Sequence, residues 1–447
     1  TSCRFTIELT IAVVFFAAAV LLTWPQRLMA QALVSTESNR VRIEGPPPPI
    51  APEVANWDDE GRATVRAVRV SELQIDGRLD EAFYHTTPSI SHLIQTVPDE
   101  GADPTERTEA WIAFDDSNVY VSARAWDSAP ESEWVANEMV RDNRAVRGND
   151  HFGVFLDTFY DRRNAVVIYV NPIGGFNDMQ LTNEGNSNRD WNPIFDIRTG
   201  RFEGGWTVEI AIPFRSLRYR TGREQVWGIQ FYRAIRRINE SDSWMPIPSR
   251  FRNYSQRISY AGDLYGLEGV QPGKNLKIKP YVLGEVNRFS SRGQRTEGDL
   301  DGGVDIKYGL TSGLTLDLTV NTDFSQVEAD TQQVNLSRFP LFFPEKREFF
   351  LENTGNFRFE APGNNQALLF HSRRIGLGDG LPVPILAGAR MTGRAGPYYL
   401  GLMNIQTRSD RDIPATNFTV ARVRRNILAN SDVGAMFLNS QSRLPDD

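Results

Sequence analysis

The 447-residue chain has a single cysteine, Cys3, and only four histidines: His85, His92, His151 and His371. That supply excludes a disulfide framework and a Cys/His zinc site. Basic charge is also scarce relative to acid. The net charge is −7, which argues against a broad nucleic-acid surface, so no nucleic-acid partner is expected. No nucleophile elbow, phosphate loop or metalloprotease helix stands in the sequence. Helical periodicity is weak, and the one long apolar run is confined to the amino end. What the chain does have is 35 glycines, 25 prolines and 11% aromatics within a 40% hydrophobic composition. Such a chain folds. It suits a turn-rich β protein of two or three domains at about 150 residues each.

Residues 11–22 read IAVVFFAAAVLL, with Arg4 before them and small residues at cleavage spacing in Leu28-Met29-Ala30-Gln31-Ala32. This is the pattern of a secretory signal, expected to span residues 1–32. The run is too short to cross a hydrocarbon core of about 30 Å comfortably. Residues 33–63 hold Pro46-Pro47-Pro48-Pro49 and Pro52 with little apolar periodicity, and read as a Pro-rich linker.

From residue 64 the apolar period becomes two. Val119, Val121, Ala123 and Ala125 face one way, and Tyr120, Ser122, Arg124 and Trp126 the other. Phe152, Val154 and Leu156 line a further strand, as do Trp206, Val208 and Ile210, and then Trp227, Ile229 and Phe231. Asp115-Asp116-Ser117-Asn118 and Asp161-Arg162-Arg163-Asn164 supply turns between them. Short alternating strands with turns predict an antiparallel β-sandwich over residues 64–265, with Trp111, Trp206 and Trp227 in its core.

Three stretches of this region resemble family 9 carbohydrate-binding modules. They are Ile75-Asp76-Gly77-Arg78-Leu79-Asp80-Glu81, the strand Asn149-Asp150-His151-Phe152-Gly153-Val154-Phe155-Leu156-Asp157, and Gly205-Trp206-Thr207-Val208-Glu209-Ile210-Ala211-Ile212-Pro213-Phe214. The resemblance implies a sandwich that binds an oligosaccharide or polysaccharide. Sugar-binding members usually place a glutamate where this chain has Gly153, and that departure weakens the ligand inference. A tryptophan can cover the C–H face of a sugar while polar neighbours fix the hydroxyls. Trp134, Trp191 and Trp244 lie in polar stretches and are the candidate sugar-contacting residues. Asp115, Asp116, Asp127 and Asp150 are the oxygen donors available for calcium, but no loop signature joins them and turn chemistry accounts for Asp115 and Asp116. No cofactor is expected. Glu209 is read as lying on a solvated strand face, and no catalytic residue is assigned.

Residues 270–447 alternate differently. Leu314, Leu316, Leu318 and Val320 interleave with Thr315, Asp317 and Thr319, and hairpins recur at 385–406 and 418–439. Strands of this kind after a secretory signal predict an antiparallel transmembrane β-barrel with lipid outside, interrupted by a folded insert near 323–382. The insert holds Phe339-Pro340-Leu341-Phe342-Phe343-Pro344-Glu345-Lys346-Arg347-Glu348-Phe349-Phe350 and, with Asp323-Phe324-Ser325-Gln326-Val327-Glu328-Ala329-Asp330, resembles an uncharacterised bacterial outer-membrane barrel family in which the barrel follows a family 9-like module. The resemblance further implies that the barrel is truncated here. The expected fold is therefore all-β, a sandwich followed by a partial barrel. The expected place is the outer membrane, with lipid as a partner and the sandwich in the periplasm. The leading expectation is carbohydrate capture or uptake. A glycoside hydrolase or accessory module acting on O-glycosyl bonds, and a structural barrel whose sandwich has lost sugar binding, are the alternatives.

Overall fold

The computed structural model describes residues 43–443 except 185, 190, 192, 221, 223, 252, 271–275, 290–294, 312, 323–344, 346, 352, 358–368, 379–380, 410–412 and 429–430. The secretory signal, the first ten residues of the linker, Pro344 and most of the phenylalanine-rich insert lie outside the described residues.

The described fold is all-β. A ten-stranded sheet runs in the order Ala55–Trp57, Ala63–Arg66, Gly262–Glu268, Glu224–Ile235, His151–Asp157, Ala165–Val170, Phe176–Thr182 and Asn186–Asn188, with Glu240–Ser243 and Ile94–Val97 branching from Glu224–Ile235. A five-stranded sheet runs Asp196–Phe202, Gly205–Pro213, Asn118–Trp126, Thr108–Phe114 and Val68–Arg69. The alternating apolar residues of both sheets meet in one core that includes Val119, Val121, Phe152, Val154, Trp206, Ile210, Trp227 and Phe231. This is the face-to-face packing of a sandwich, and each large apolar side chain so buried contributes about 1.5–3 kcal/mol. Arg233, almost fully buried, ties the sheets together by donating to the Arg107 carbonyl at 2.8 Å, to Thr108 Oγ1 at 2.9 Å and to the Trp126 carbonyl.

Two details depart from the sequence reading. The sandwich is not purely antiparallel. Ala63–Arg66 pairs parallel with Gly262–Glu268, and Val68–Arg69 pairs parallel with Thr108–Phe114. The chain crosses from one sheet to the other at Ala67, so one extended segment serves both sheets. The linker is also shorter than expected. Ala55–Trp57 is a strand paired to Ala63–Arg66. The Gly45 amide donates to Asp263 Oδ2 at 2.7 Å, and the Thr64 hydroxyl donates to the Pro46 carbonyl at 2.6 Å. Alternation could not reveal this, because proline lends the segment its extended shape without any side-chain period.

The second sheet region is a seven-stranded antiparallel meander: Leu276–Phe289, Arg295–Gly309, Leu314–Val320, Ile385–Ala395, Tyr398–Thr407, Ala415–Leu428 and Ser431–Arg443. Its polarity is inverted. Thr315, Asp317 and Thr319 are buried, as are Arg390 and Thr392, while Val320, Val423 and Phe437 on the other face are exposed. A short helix, Glu348–Leu351, lies beside a cluster in which Phe349, Phe350 and Phe357 pack against Ile385, Met403, Ile405 and Val420. The described part of the insert thus covers the face of the sheet that carries Met403, Ile405 and Val420 beside Asp317, Thr319 and Arg390. Among the described residues no helix is long and apolar enough to cross a membrane.

Candidate functional site

The three candidate tryptophans do not share a site. Trp244 is fully buried. It meets Trp57 edge-on at 5.5 Å between ring centroids and Phe231 at 5.8 Å. A stacking platform needs an open face, and Trp244 has none; its polar sequence neighbours belong to Glu240–Ser243, whose side chains are themselves buried. Trp191 is 7% exposed and belongs to the sandwich core. Its remaining edge enters a cavity between the sandwich and the second sheet, together with Asp161, Asn164, Asn353, Arg394 and Tyr399. That cavity is crossed by inter-sheet bonds. The Tyr399 hydroxyl donates to Asp161 Oδ2 at 2.6 Å, Arg394 pairs with the same oxygen at 3.4 Å, and Asn164 Nδ2 donates to the Tyr399 hydroxyl at 3.3 Å.

Trp134 is half-buried and lines an open groove of about 380 Å³ with Asp127, Ser128, Glu131, Arg201 and Phe202. Its loop is held from the strand motif that carries the family resemblance. Asn149 Oδ1 accepts the Asn137 and Glu138 amides at 2.9 and 3.0 Å, and Asp150 Oδ2 accepts the Val135 amide at 2.9 Å. The indole Nε1 donates to the Ala129 carbonyl at 3.2 Å. Arg201 lies over the ring at 5.3 Å and pairs with Glu131 at 2.7 Å. One indole face is therefore taken by a cation, a place that a sugar ring would share or take over. The groove offers an aromatic surface, hydroxyl and carboxylate acceptors and guanidinium donors, which are the groups a saccharide needs.

The departure at Gly153 has a steric reason. A Cβ built there would stand 2.9 Å from one Tyr169 ring carbon and 3.0 Å from the next. Tyr169 fills the space, and its ring also meets Phe155 at 5.6 Å and His151 at 5.1 Å. The outer face of His151–Asp157 is thus roofed by aromatic packing together with Ile258 and Ala261.

Glu209 overturns its sequence reading. It is not on a solvated face but fully buried. Its Oε2 accepts the Asp76 and Gly77 amides at 3.1 and 2.8 Å, and its Oε1 accepts the Tyr84 hydroxyl at 2.9 Å. Burial pushes its carboxyl up to about 7, against the opposing pull of those hydrogen bonds. Gly77 sits at φ +91°, and a Cβ there would stand 2.7 Å from the Thr199 carbonyl oxygen. The first and third resembling stretches are therefore one structural unit, joined through this carboxylate. The available signal was that Glu209 interrupts a strand otherwise made of core-compatible residues.

Of the aspartates weighed for calcium, Asp115 accepts the Ser117 and Asn118 amides at 2.6 Å and the Tyr120 hydroxyl at 2.7 Å, which is turn chemistry. Asp127 is engaged by Arg237 at 2.8 Å. Asp116 pairs with Arg69 on the surface at 2.6 Å. Among the described residues no group of three or more acidic, histidine or cysteine side chains converges on one point.

Comparison with known proteins adds the following. A family profile described as a domain of unknown function (DUF5916) matches residues 272–380. No curated protein matches the chain. Among solved structures, a family 9 carbohydrate-binding module from Caldicellulosiruptor kristjanssonii in complex with cellotriose is similar at 17% identity, with a TM-score of 0.33, covering 47% of this chain and 100% of that one. The same organism's family 9 module in complex with glucose is similar at 16% identity and a TM-score of 0.32, covering 46% and 97% respectively.

Proposed function

We propose that the chain is a membrane-inserted β-sheet protein of the outer-membrane barrel kind, whose sandwich lies on the periplasmic side and binds saccharides. One observation carries the membrane reading. In Leu314–Val320 the threonines and aspartate are the buried residues and the leucines face out. The outward row continues across six paired strands as Tyr308, Leu316, Met391, Leu402, Ala421 and Phe437. In water such a row would be buried against a second layer. In lipid it is the favoured arrangement, with polar residues turned to the interior.

The connections support this orientation. Residues 396–397 are a two-residue link, and the sandwich bonds to the sheet at that end, through Tyr399 and Arg394 and through a 3.7 Å pair of Arg163 with Asp432. Short turns are periplasmic in barrels of this kind. The Trp134 groove supports saccharide binding. A second reading, a sandwich that only caps the sheet, is favoured by the covered face around Gly153.

The test uses the full chain in lipid vesicles. Co-flotation with vesicles, heat-modifiable mobility on gels and binding of cello-oligosaccharides that is weakened in Trp134→Ala support the proposal. Extraction by alkaline carbonate refutes the membrane reading, and sugar binding that is absent or unchanged in Trp134→Ala refutes the groove.

A further inference from the structure

A second cavity of about 280 Å³ opens on the sandwich, away from the Trp134 groove, and its lining is cationic. Arg144, Arg147, Arg189 and Arg236 surround it, and among the described residues no carboxylate lines it. In a chain of net charge −7 this is a local reversal of sign. Among the described residues Arg144, Arg147 and Arg236 have no acidic partner at ion-pair distance. Arg147 lies instead over the Tyr169 ring at 5.1 Å, and Arg236 donates to the Arg147 carbonyl at 2.6 Å. Asp150, near in sequence, is turned to the backbone, accepting the Arg236 and Val135 amides at 2.5 and 2.9 Å.

The floor is polar and short of partners. Arg236 Nε is buried with no hydrogen-bond partner, and the buried Tyr169 hydroxyl lies beside Ser255 in the same lining. An acceptor that enters the cavity can take the unpaired Nε–H of Arg236. His151, also in the floor, donates through Nδ1 to the Asn149 carbonyl at 2.8 Å. Burial, with the charges of Arg236 and Arg147 added, lowers its pKa to about 3, so it stays neutral and adds no positive charge.

We propose that this cavity binds an oxyanion group, a phosphate, sulfate or carboxylate, held by the guanidinium groups of Arg144, Arg147 and Arg236 with the Tyr169 hydroxyl as a further donor. Guanidinium groups match the two-oxygen edge of such anions, and charge-assisted bonds of this kind are about twice as strong as neutral ones. The site is distinct from the Trp134 groove, so its ligand can be a free anion or the charged substituent of an acidic sugar.

The test is calorimetric titration of the full chain in vesicles or detergent at low salt with inorganic phosphate, glucuronate and glucose. Arg144 is exposed, so Arg144→Gln leaves the core untouched, and Tyr169→Phe keeps the ring that packs on Gly153. The expected result is saturable binding of phosphate or glucuronate, weakened about tenfold by Arg144→Gln and by Tyr169→Phe, and unaffected by Trp134→Ala. Glucuronate binding more tightly than phosphate marks a sugar-borne carboxylate; the reverse order marks a free anion. No anion binding, or binding that both variants retain in full with unchanged circular dichroism, overturns the proposal. Loss of glucose binding in Trp134→Ala bears on the groove alone.

Discussion

Replacing Glu209 by alanine removes the acceptor for two buried or half-buried backbone amides, those of Asp76 and Gly77, and for the Tyr84 hydroxyl. Tyr84 keeps a partner in Ser122 Oγ at 2.8 Å, so its loss is partial. The two amides lose their acceptor, and each unpaired buried donor costs about 1–3 kcal/mol. With the cavity left by the side chain, the expected loss for Glu209→Ala is about 3–5 kcal/mol, a large share of a typical domain's stability. Glu209→Gln keeps one carbonyl oxygen but turns an amide donor toward another donor, so its expected cost is smaller, about 1–3 kcal/mol.

The pH dependence separates charge from packing. The folded-state pKa of Glu209, about 7, lies above the ordinary value of 4.5. The folded state therefore holds the proton more tightly than the unfolded state. The stabilisation from this group is fully present below pH 4.5 and is lost as pH rises through about 7. Urea unfolding followed by tryptophan fluorescence at several pH values across that window measures both effects. A Glu209→Ala cost below about 1 kcal/mol, less than one unpaired donor should cost, would sink the argument. So would a Glu209→Gln variant that keeps the wild-type decline across the window.

Other perturbations probe other parts of the reasoning. Gly153→Ala forces a Cβ to 2.9 Å from the Tyr169 ring and is expected to destabilise by about 1–2 kcal/mol in spite of the strand preference for alanine over glycine; a thermal melt no lower than wild type contradicts the packing account. Trp244→Ala should cost about 3–5 kcal/mol of stability as a core deletion, with saccharide affinity unaffected in whatever protein folds. Trp134→Ala should show the opposite division, an unchanged melt and a weakened titration with cello-oligosaccharide. Leu316→Arg, in the outward apolar row, should lower membrane insertion by about 2–4 kcal/mol in a vesicle-folding assay; a neutral effect places that row in water.

Much of the fold was legible because alternation records which side of a strand is buried. Val119 to Ala125 and Leu314 to Val320 alternate equally well, and the sequence separates them only by the company each keeps: tryptophans and turns in one case, threonines and long hairpins in the other. The sites were less legible because they are assembled at long range. Glu209 meets Gly77 across 132 residues, and no local period announces that contact. The arginine cavity takes side chains from positions 144, 147, 189 and 236, none of which stands out in its own segment. The tryptophans misled for a similar reason. Trp134 and Trp244 sit in comparably polar stretches, yet the second points between the sheets. Polar neighbours on a strand indicate the opposite face, not exposure of the tryptophan itself.

Asp161 shows how one turn can serve both the sandwich and the sheet it adjoins. Its Oδ1 accepts the Arg163 and Asn164 amides at 3.0 and 2.9 Å, which closes the turn between His151–Asp157 and Ala165–Val170. Its Oδ2 is left to accept the Tyr399 hydroxyl and to pair with Arg394. The second oxygen could have been solvated; instead it is spent on a residue 238 positions away. A hinged tether would not need such a contact. The strand that leads into this turn also carries His151, in the floor of the arginine cavity, and follows Asn149 and Asp150, which fix the Trp134 loop. A ligand at either place is thus linked to the sheet through one strand of seven residues. Such a strand transmits position, not motion, unless its turn has two arrangements. The geometry therefore favours a sandwich held at a fixed distance and angle from the sheet.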